Sequence, residues 1–207
     1  MKRALLAIIG VLFLFAAAVP AEVSATQALT FTGGTYYSYV SDPLPNTIGW
    51  EFSLAAPVTV TSLGFYDLAG DGLLADHAVS IWDINHSELV SATVSYSDLL
   101  YGGFRWTGVA PLTLAAGSYR IGAMVGGEDG YFTAADSIET ASPVTFVDSA
   151  YLVGAFDYPE YLGGIGDGRF GPNFTFDSEP VPEPGTMLLL GTGLMWLAVY
   201  KKRRKNS

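Results

Sequence analysis

The stretch IGWEFSL, residues 48–54, decides the fold class because apolar side chains alternate in it with small or polar ones. In an extended chain, one face of this stretch carries Ile48, Trp50, Phe52 and Leu54. A period of two residues is typical of a β-strand with one buried face. We therefore expect a core strand here, with Trp50 inside.

The next stretch, VTVTSLGFY at residues 58–66, has the composition of a strand but an interrupted pattern. Val58 and Val60 share one face, whereas Leu63 and Phe65 share the other. This change of face predicts a β-bulge near Ser62, or else a strand that is covered on both sides.

Further short β-type runs fill residues 26–180, separated by turns with glycine or proline. They lie at 29–32, 36–40, 77–84, 88–95, 104–106, 111–114, 118–125, 131–132, 144–147, 151–153 and 169–177. No stretch sustains a 3.6-residue period, and many short strands are typical of sandwiches and jelly rolls. We predict an all-β fold: one antiparallel, jelly-roll-like β-sandwich domain of seven or eight strands, with a long surface loop at 155–168.

The chain begins with the features of a signal peptide. Lys2 and Arg3 precede an apolar run at 4–18, and two small-residue cleavage patterns follow, VPA at 19–21 and VSA at 23–25. We predict cleavage after Ala25, which makes 1–25 the signal peptide and 26–180 the exported domain. The alternative is an uncleaved N-terminal anchor.

Residues 181–207 combine three segments in a fixed order. The hexapeptide VPEPGT at 181–186 is stiff and extended, because its prolines fix φ and disfavour the α conformation. The next fourteen residues, 187–200, are apolar and uncharged, and a helix over 185–200 is roughly 24 Å long, enough for a short transmembrane helix. A basic tail follows and predicts a cytoplasmic end: Lys201, Lys202, Arg203, Arg204 and Lys205.

This order of segments resembles the PEP-CTERM sorting signal of Gram-negative bacteria. The signature matches at Val181, Pro182, Glu183 and Pro184, and the apolar span and basic tail follow at once. The resemblance implies recognition by an exosortase, transient anchoring in the inner membrane, removal of the anchor, and delivery to the cell surface. The alternative is an ordinary tail anchor whose linker happens to contain prolines.

Most of the domain shows a second resemblance, to an uncharacterised bacterial extracellular module that often precedes PEP-CTERM tails. The stretches that carry it are VTVTSLGFYD at 58–67, GDGL at 70–73, HAVSIWD at 77–83, PLTLAAGSYRIG at 111–122 and FGPNF at 170–174. This resemblance implies a jelly-roll-like sandwich and supplies no activity.

Charge is divided unevenly along the 207 residues. Of 20 acidic residues, only Glu22 and Glu183 lie outside 26–180, and of ten basic residues only Arg105, Arg120 and Arg169 lie inside it. The exported region therefore carries a formal charge of −15, which excludes nucleic acid as a partner. The chain has no cysteine, so its core must hold the fold without disulfides.

The sequence offers little for catalysis, and we predict no catalytic residue and no enzyme. The two histidines, His77 and His86, stand at a strand start and in a turn, without a nucleophile pattern beside them. The loop DLAGDGLLAD at 67–76 is the best polar cluster, and Asp67, Asp71 and Asp76 form a candidate calcium site. The alternative interpretation is a tight turn that requires glycine.

Aromatic residues suggest a second kind of site, because rings on a sandwich can stack on sugars. Trp50 and Trp82 are aligned with apolar neighbours and are expected in the core. Trp106 is expected to be exposed and, with Tyr36 and Tyr37, forms the candidate carbohydrate site.

Taken together, these features predict an exported, non-enzymatic surface protein with a structural or adhesive role in the extracellular matrix of a biofilm. The predicted partners are an exosortase, the membrane before processing, and extracellular polysaccharide if the domain is a carbohydrate-binding module. An exported hydrolase is a further alternative.

Overall fold

A computed structural model describes residues 25–38, 45–126, 129–163 and 168–178. Within these ranges the protein is all-β, which confirms the predicted fold class. The same ranges contain no helix with the length and apolarity needed to cross a membrane. Except for Ala25, the predicted signal peptide lies outside the described residues, as do the sorting motif, the transmembrane helix and the basic tail.

Fifteen strands form the described part of the chain. They are β1 (Thr26–Gln27), β2 (Leu29–Thr32), β3 (Thr35–Ser38), β4 (Asn46–Leu54), β5 (Val58–Tyr66), β6 (His77–Asp83), β7 (Glu88–Val94), β8 (Leu99–Tyr101), β9 (Phe104–Leu114), β10 (Gly117–Val125), β11 (Gly130–Thr133), β12 (Ser137–Thr140), β13 (Val144–Leu152), β14 (Tyr161–Leu162) and β15 (Pro172–Ser178). Eight of them have seven residues or more.

The long strands belong to two antiparallel sheets. One has the order β1-β15-β5-β9-β8, and the other has the order β14-β13-β4-β10-β6-β7. Two ribbons, β11-β3 and β12-β2, complete the described structure. The last strand, β15, therefore lies inside the first sheet, between β1 and β5.

Side chains from both large sheets meet in one hydrophobic core. The alternation in β4 places Trp50 and Phe52 there with no exposed surface, as the sequence predicts. From the other sheet, Phe174 stacks on Trp50 with ring centroids 5.9 Å apart and packs against Phe52 at 4.9 Å. The Trp50 indole also donates a hydrogen bond to the Pro172 carbonyl, 2.9 Å away, so this contact joins the sheets by packing and by a polar bond.

The predicted bulge near Ser62 is confirmed. The register of β5 shifts between Val60 and Ser62 against β9, and β15 is irregular at the same level. Val58, Val60, Leu63 and Phe65 all reach the core as a result. A bulge inserts an extra residue, so the alternation restarts on the same face after it.

Two predicted strand boundaries are wrong for a related reason. The runs at 104–106 and 111–114 are one strand, β9, whose extra residues, Val109 to Pro111, lie opposite Thr61 alone. Proline cannot donate to a sheet ladder but fits at a bulge. The runs at 144–147 and 151–153 similarly fall in or next to one strand, β13, which ends at Leu152 and has a register shift between Phe146 and Asp148.

The described part of the predicted surface loop at 155–168 packs against the protein. Its Tyr158 is buried, and Phe156 contacts Trp82 on the outer face of the six-stranded sheet. Trp82 is buried, as predicted, but under this segment and not among the residues of the central core. Gly122 provides the space, because a side chain there would collide with Thr47 and crowd Trp82.

We predict that Phe174→Ala destabilises the protein by about 3–5 kcal/mol, because it removes a fully buried ring between the two sheets. Urea unfolding followed by tryptophan fluorescence measures the loss. Leu99→Ala is the matched control, since Leu99 is 73% exposed and its loss should cost less than about 0.5 kcal/mol. Equal unfolding midpoints for the two variants would contradict the proposed importance of this contact.

Candidate functional site

The loop that connects β5 to β6, residues 67–76, is built around Asp67. This carboxylate is buried and accepts hydrogen bonds from the backbone amides of Gly70 and Gly72, at 3.0 and 3.1 Å. Its Oδ2 also pairs with Arg105 Nε at 2.8 Å. Gly70 and Gly72 have φ of 70° and 118°, so the sharp turn predicted from their positions is present.

Arg105 holds this loop in place through several hydrogen bonds. Its two terminal nitrogens donate to the carbonyl of Asp98 at 3.0 Å and to that of Gly70 at 3.3 Å. Its guanidinium also lies over the Tyr96 ring, 5.7 Å from the centroid. The Asp67 carboxylate thus accepts hydrogen bonds from both the loop backbone and the arginine that also binds the loop.

The three aspartates of the candidate calcium site do not come together as a metal site. Both oxygens of Asp67 are bonded within the loop, whereas Asp71 and Asp76 are exposed. Among the side chains that the structure describes, no three His, Cys, Asp or Glu residues could hold a metal ion together. The structure therefore favours the alternative interpretation of a tight turn.

The buried His77 and the partly buried Asp129 form a pair beside the same loop. His77 Nε2 lies 3.1 Å from Asp129 Oδ2, and His77 Nδ1 lies 2.8 Å from the carbonyl oxygen of Met124. The imidazole stacks on Phe65 at 3.8 Å and is only 2% exposed. Since both ring nitrogens face acceptors inside the protein, this histidine fixes structure and is not placed as a general base.

Asp129 joins this pair to the loop. Its Oδ2 also accepts from the amides of Leu74 at 2.7 Å and Ala75 at 2.9 Å. Burial raises the pKa of Asp129, but the hydrogen bonds from His77, Ala75 and Leu74 and the charge of His77 outweigh it, so the net pKa lies below the ordinary value. The carboxylate is therefore the favoured form in the fold.

A cleft of about 500 Å³ opens over these groups. Tyr36 and Tyr96 contribute rings, Leu68 and Leu74 contribute apolar surface, and the carboxylates lining the cleft are those of Asp67, Asp71 and Asp129. Burial, with a contribution from the Asp129 charge, raises the pKa of the Tyr36 phenol, whose oxygen accepts from the Gly130 amide at 2.7 Å. The cleft is acidic and aromatic, a combination suited to neutral or cationic polar ligands.

The three residues of the predicted carbohydrate site do not lie together in the structure. Tyr36 lines the cleft, and Tyr37 is 49% exposed on β3 but does not line it. The prediction that Trp106 is exposed is wrong, since it is only 7% exposed. Its ring fills the space over its cross-strand neighbour Gly64, where a side chain would collide with it, and its indole donates to the Tyr101 carbonyl at 2.9 Å.

Sequence reasoning missed two cleft residues, Tyr96 and Asp129. Tyr96 follows β7 and stands 62% exposed, with Gly72 beneath its ring. The glycines of the loop were visible in the sequence, but what packs on them was not. Asp129 lies in a glycine-rich turn, and nothing in the local pattern connects it to His77.

We predict that Asp129→Asn destabilises the protein at neutral pH by about 1–3 kcal/mol, because one carboxylate oxygen accepts three hydrogen bonds in a partly buried site. Since the folded pKa lies below the reference of 3.8, the stabilisation from ionisation is complete above that value and is lost as pH falls through the folded pKa. Denaturant unfolding at pH 7 and across the acid range measures both effects.

The matched control is Asp71→Asn, which removes the same charge from an exposed position of the same cleft. Its stability should stay within about 0.5 kcal/mol of the parent. If Asp129→Asn gave the same small change and the same acid profile as the parent, the pair with His77 would not stabilise the fold.

The family model described as the PEP-CTERM protein-sorting motif matches residues 180–205. No curated protein and no solved structure matches the chain. The match begins two residues after β15 ends at Ser178, so motif and domain adjoin directly. The chain carries a PEP-CTERM sorting motif, which implies exosortase-dependent export to the cell surface.

Proposed function

We propose that this protein is an exosortase substrate of a Gram-negative bacterium, which displays one jelly-roll-like β-sandwich as a non-enzymatic structural or adhesive component of the extracellular matrix. The observation that carries the proposal is the sorting motif at 180–205, directly behind the last strand of the domain. In this proposal residues 1–25 are removed as a signal peptide, and the tail holds the chain in the inner membrane until processing.

The pairing of strands supports a jelly roll. The first strand pairs with the last, β4 pairs with β13, β5 with β9 and β6 with β7, and successive pairs fall in alternate sheets. Such nested pairing arises when one long antiparallel hairpin is rolled up. Strand β10, inserted between β4 and β6, is a departure from the simplest form of this pattern.

The chemistry of the described residues supports a non-enzymatic role. His77 is enclosed by Phe65, Met124 and Asp129, and the His86 ring stacks on Tyr158 at 3.8 Å in the hairpin between β6 and β7. Asp67 pairs with Arg105 and accepts a hydrogen bond from the loop backbone. In His77 and Asp67, two groups that a hydrolase would keep available for substrate are instead engaged inside the protein.

The cleft favours carbohydrate binding as a second candidate function. An exposed Tyr96 ring beside free acidic acceptors such as Asp71 can stack on a sugar and hydrogen-bond its hydroxyls. The charge of −15 on residues 26–180 repels anionic polysaccharides. The ligand in this alternative is therefore a neutral or cationic polysaccharide.

If the cleft binds sugar, Tyr96→Ala should weaken binding to a neutral polysaccharide by roughly five-fold or more, as expected for loss of one stacking ring. Affinity electrophoresis measures the change. Tyr161→Ala is the control, because Tyr161 is similarly exposed, at 52%, but lies on the edge strand β14. Equal retardation of parent and both variants would end the carbohydrate alternative for this cleft.

The sorting function is tested by replacing Pro182, Glu183 and Pro184 with alanine. An exosortase requires an extended signal at the membrane surface, and alanine there allows helix to extend upstream from the apolar span. We expect the variant to remain in the membrane at full length while the parent is shortened by about the mass of the tail. Mass spectrometry of membrane and surface fractions measures the difference.

Two controls define this result. A variant with Asn206→Ala and Ser207→Ala should be processed like the parent, because it leaves the motif and the basic run intact. In a host that lacks exosortase, every form should remain at full length. Equal processing of the triple-alanine variant and the parent would show that the tail is an ordinary anchor.

A further inference from the structure

The strand register identifies which end of the domain adjoins the sorting motif. Strand β15 ends at Ser178, opposite Val58 at the start of β5, and Val58 also faces Leu114 at the end of β9. In the other sheet, Leu54 faces Gly117 and Val144. The turns at this end therefore include 55–57, 115–116 and 141–143, and we call it the tail end.

The amino-terminal strand also starts near the tail end. Thr26, the first residue of β1, lies opposite Phe176, and β1 is the direct neighbour of β15 in the sheet. Thr26 also directly follows the predicted cleavage site after Ala25. The leader and the tail, the two apolar segments of the chain, thus connect to adjacent strands at the same end of the domain.

The tether between the domain and the apolar span is short. Eight residues, 179–186, lie between Ser178 and Met187, so even a fully extended chain spans at most about 30 Å between their Cα atoms. The nine-residue strand β5 is itself about 30 Å long at ~3.3 Å per residue. Measured along its strands, the domain is therefore about as long as the longest reach of its tether.

The turns at the two ends differ in charge. The turns 55–57, 115–116 and 141–143 contain only alanine, serine and proline, although Asp83, Glu88, Glu139 and Asp177 lie in the strands next to this end. The opposite end, which we call the far end, holds the cleft and the acidic residues Asp67, Asp71, Asp76, Asp98 and Asp129. An anionic membrane surface repels carboxylates that come within about 10 Å of it.

We propose that, while its tail is in the membrane, the domain stands with the uncharged turns of the tail end against the lipid surface and directs the cleft of the far end away from it. This inference rests on the proposed membrane anchoring of residues 187–200. It assigns the turns 55–57, 115–116 and 141–143 as the membrane-facing surface. It also leaves the cleft open to the periplasm or the cell exterior before and after processing.

The full-length chain allows a direct test because it has no cysteine of its own. Single cysteines are introduced by Ala56→Cys and Ala116→Cys at the tail end, and by Ala69→Cys and Ala75→Cys at the far end. All four alanines are exposed, so a dye at each leaves the core intact. The labelled chains are inserted into phosphatidylethanolamine–phosphatidylglycerol vesicles that carry an energy-transfer acceptor on a few headgroups.

We expect both tail-end dyes to transfer energy to the surface roughly two-fold or more better than both far-end dyes, since the ends are about 30 Å apart. Equal transfer from the two ends, with all chains in the vesicle fraction, would overturn the orientation and leave the anchor standing. Chains that remain in the supernatant would overturn the anchor proposed for 187–200, and the orientation with it.

Discussion

The structure depends on the insertion of β15 between β1 and β5. This strand brings Phe174 onto Trp50 and Phe52 and so joins the two sheets. Its partner β1 comes from the opposite end of the domain sequence, so the five-stranded sheet cannot be completed before residue 178 is available. The fold is therefore completed only when the segment that precedes the sorting motif can pair with β1. Non-local pairing of this kind forms slowly.

Residues 26–180 contain no lysine and no disulfide, and their three arginines hold neighbouring segments together. Arg105 binds the loop at 67–76 through Asp67, and Arg120 pairs with Glu51 while donating to the carbonyls of Pro159 and Glu160. Arg169 donates to the Ser149 hydroxyl and lies over the Tyr151 ring. Planar guanidinium groups suit such multiple contacts. Since all three are engaged internally, most of the acidic charge remains facing solvent.

The sequence predicted what local pattern encodes. Alternation identified β4 and the burial of Trp50, and a change of face located the bulge near Ser62. The position of Trp106 was not predictable in this way, because its burial depends on Gly64, a partner on another strand. The cleft was only partly predictable for the same reason: its loop at 67–76 was recognised, but Asp129 reaches it through tertiary contacts.

This difference also explains why the sorting motif is easier to recognise from sequence than the cleft. The PEP-CTERM motif is one continuous stretch, read by its enzyme as sequence, so a match to residues 180–205 is informative by itself. The cleft is assembled from Tyr36, the loop at 67–76, Tyr96 and Asp129, which the chain brings together only by folding. The arrangement of the cleft therefore depends on the spacing of side chains across strands, which neither composition nor periodicity records.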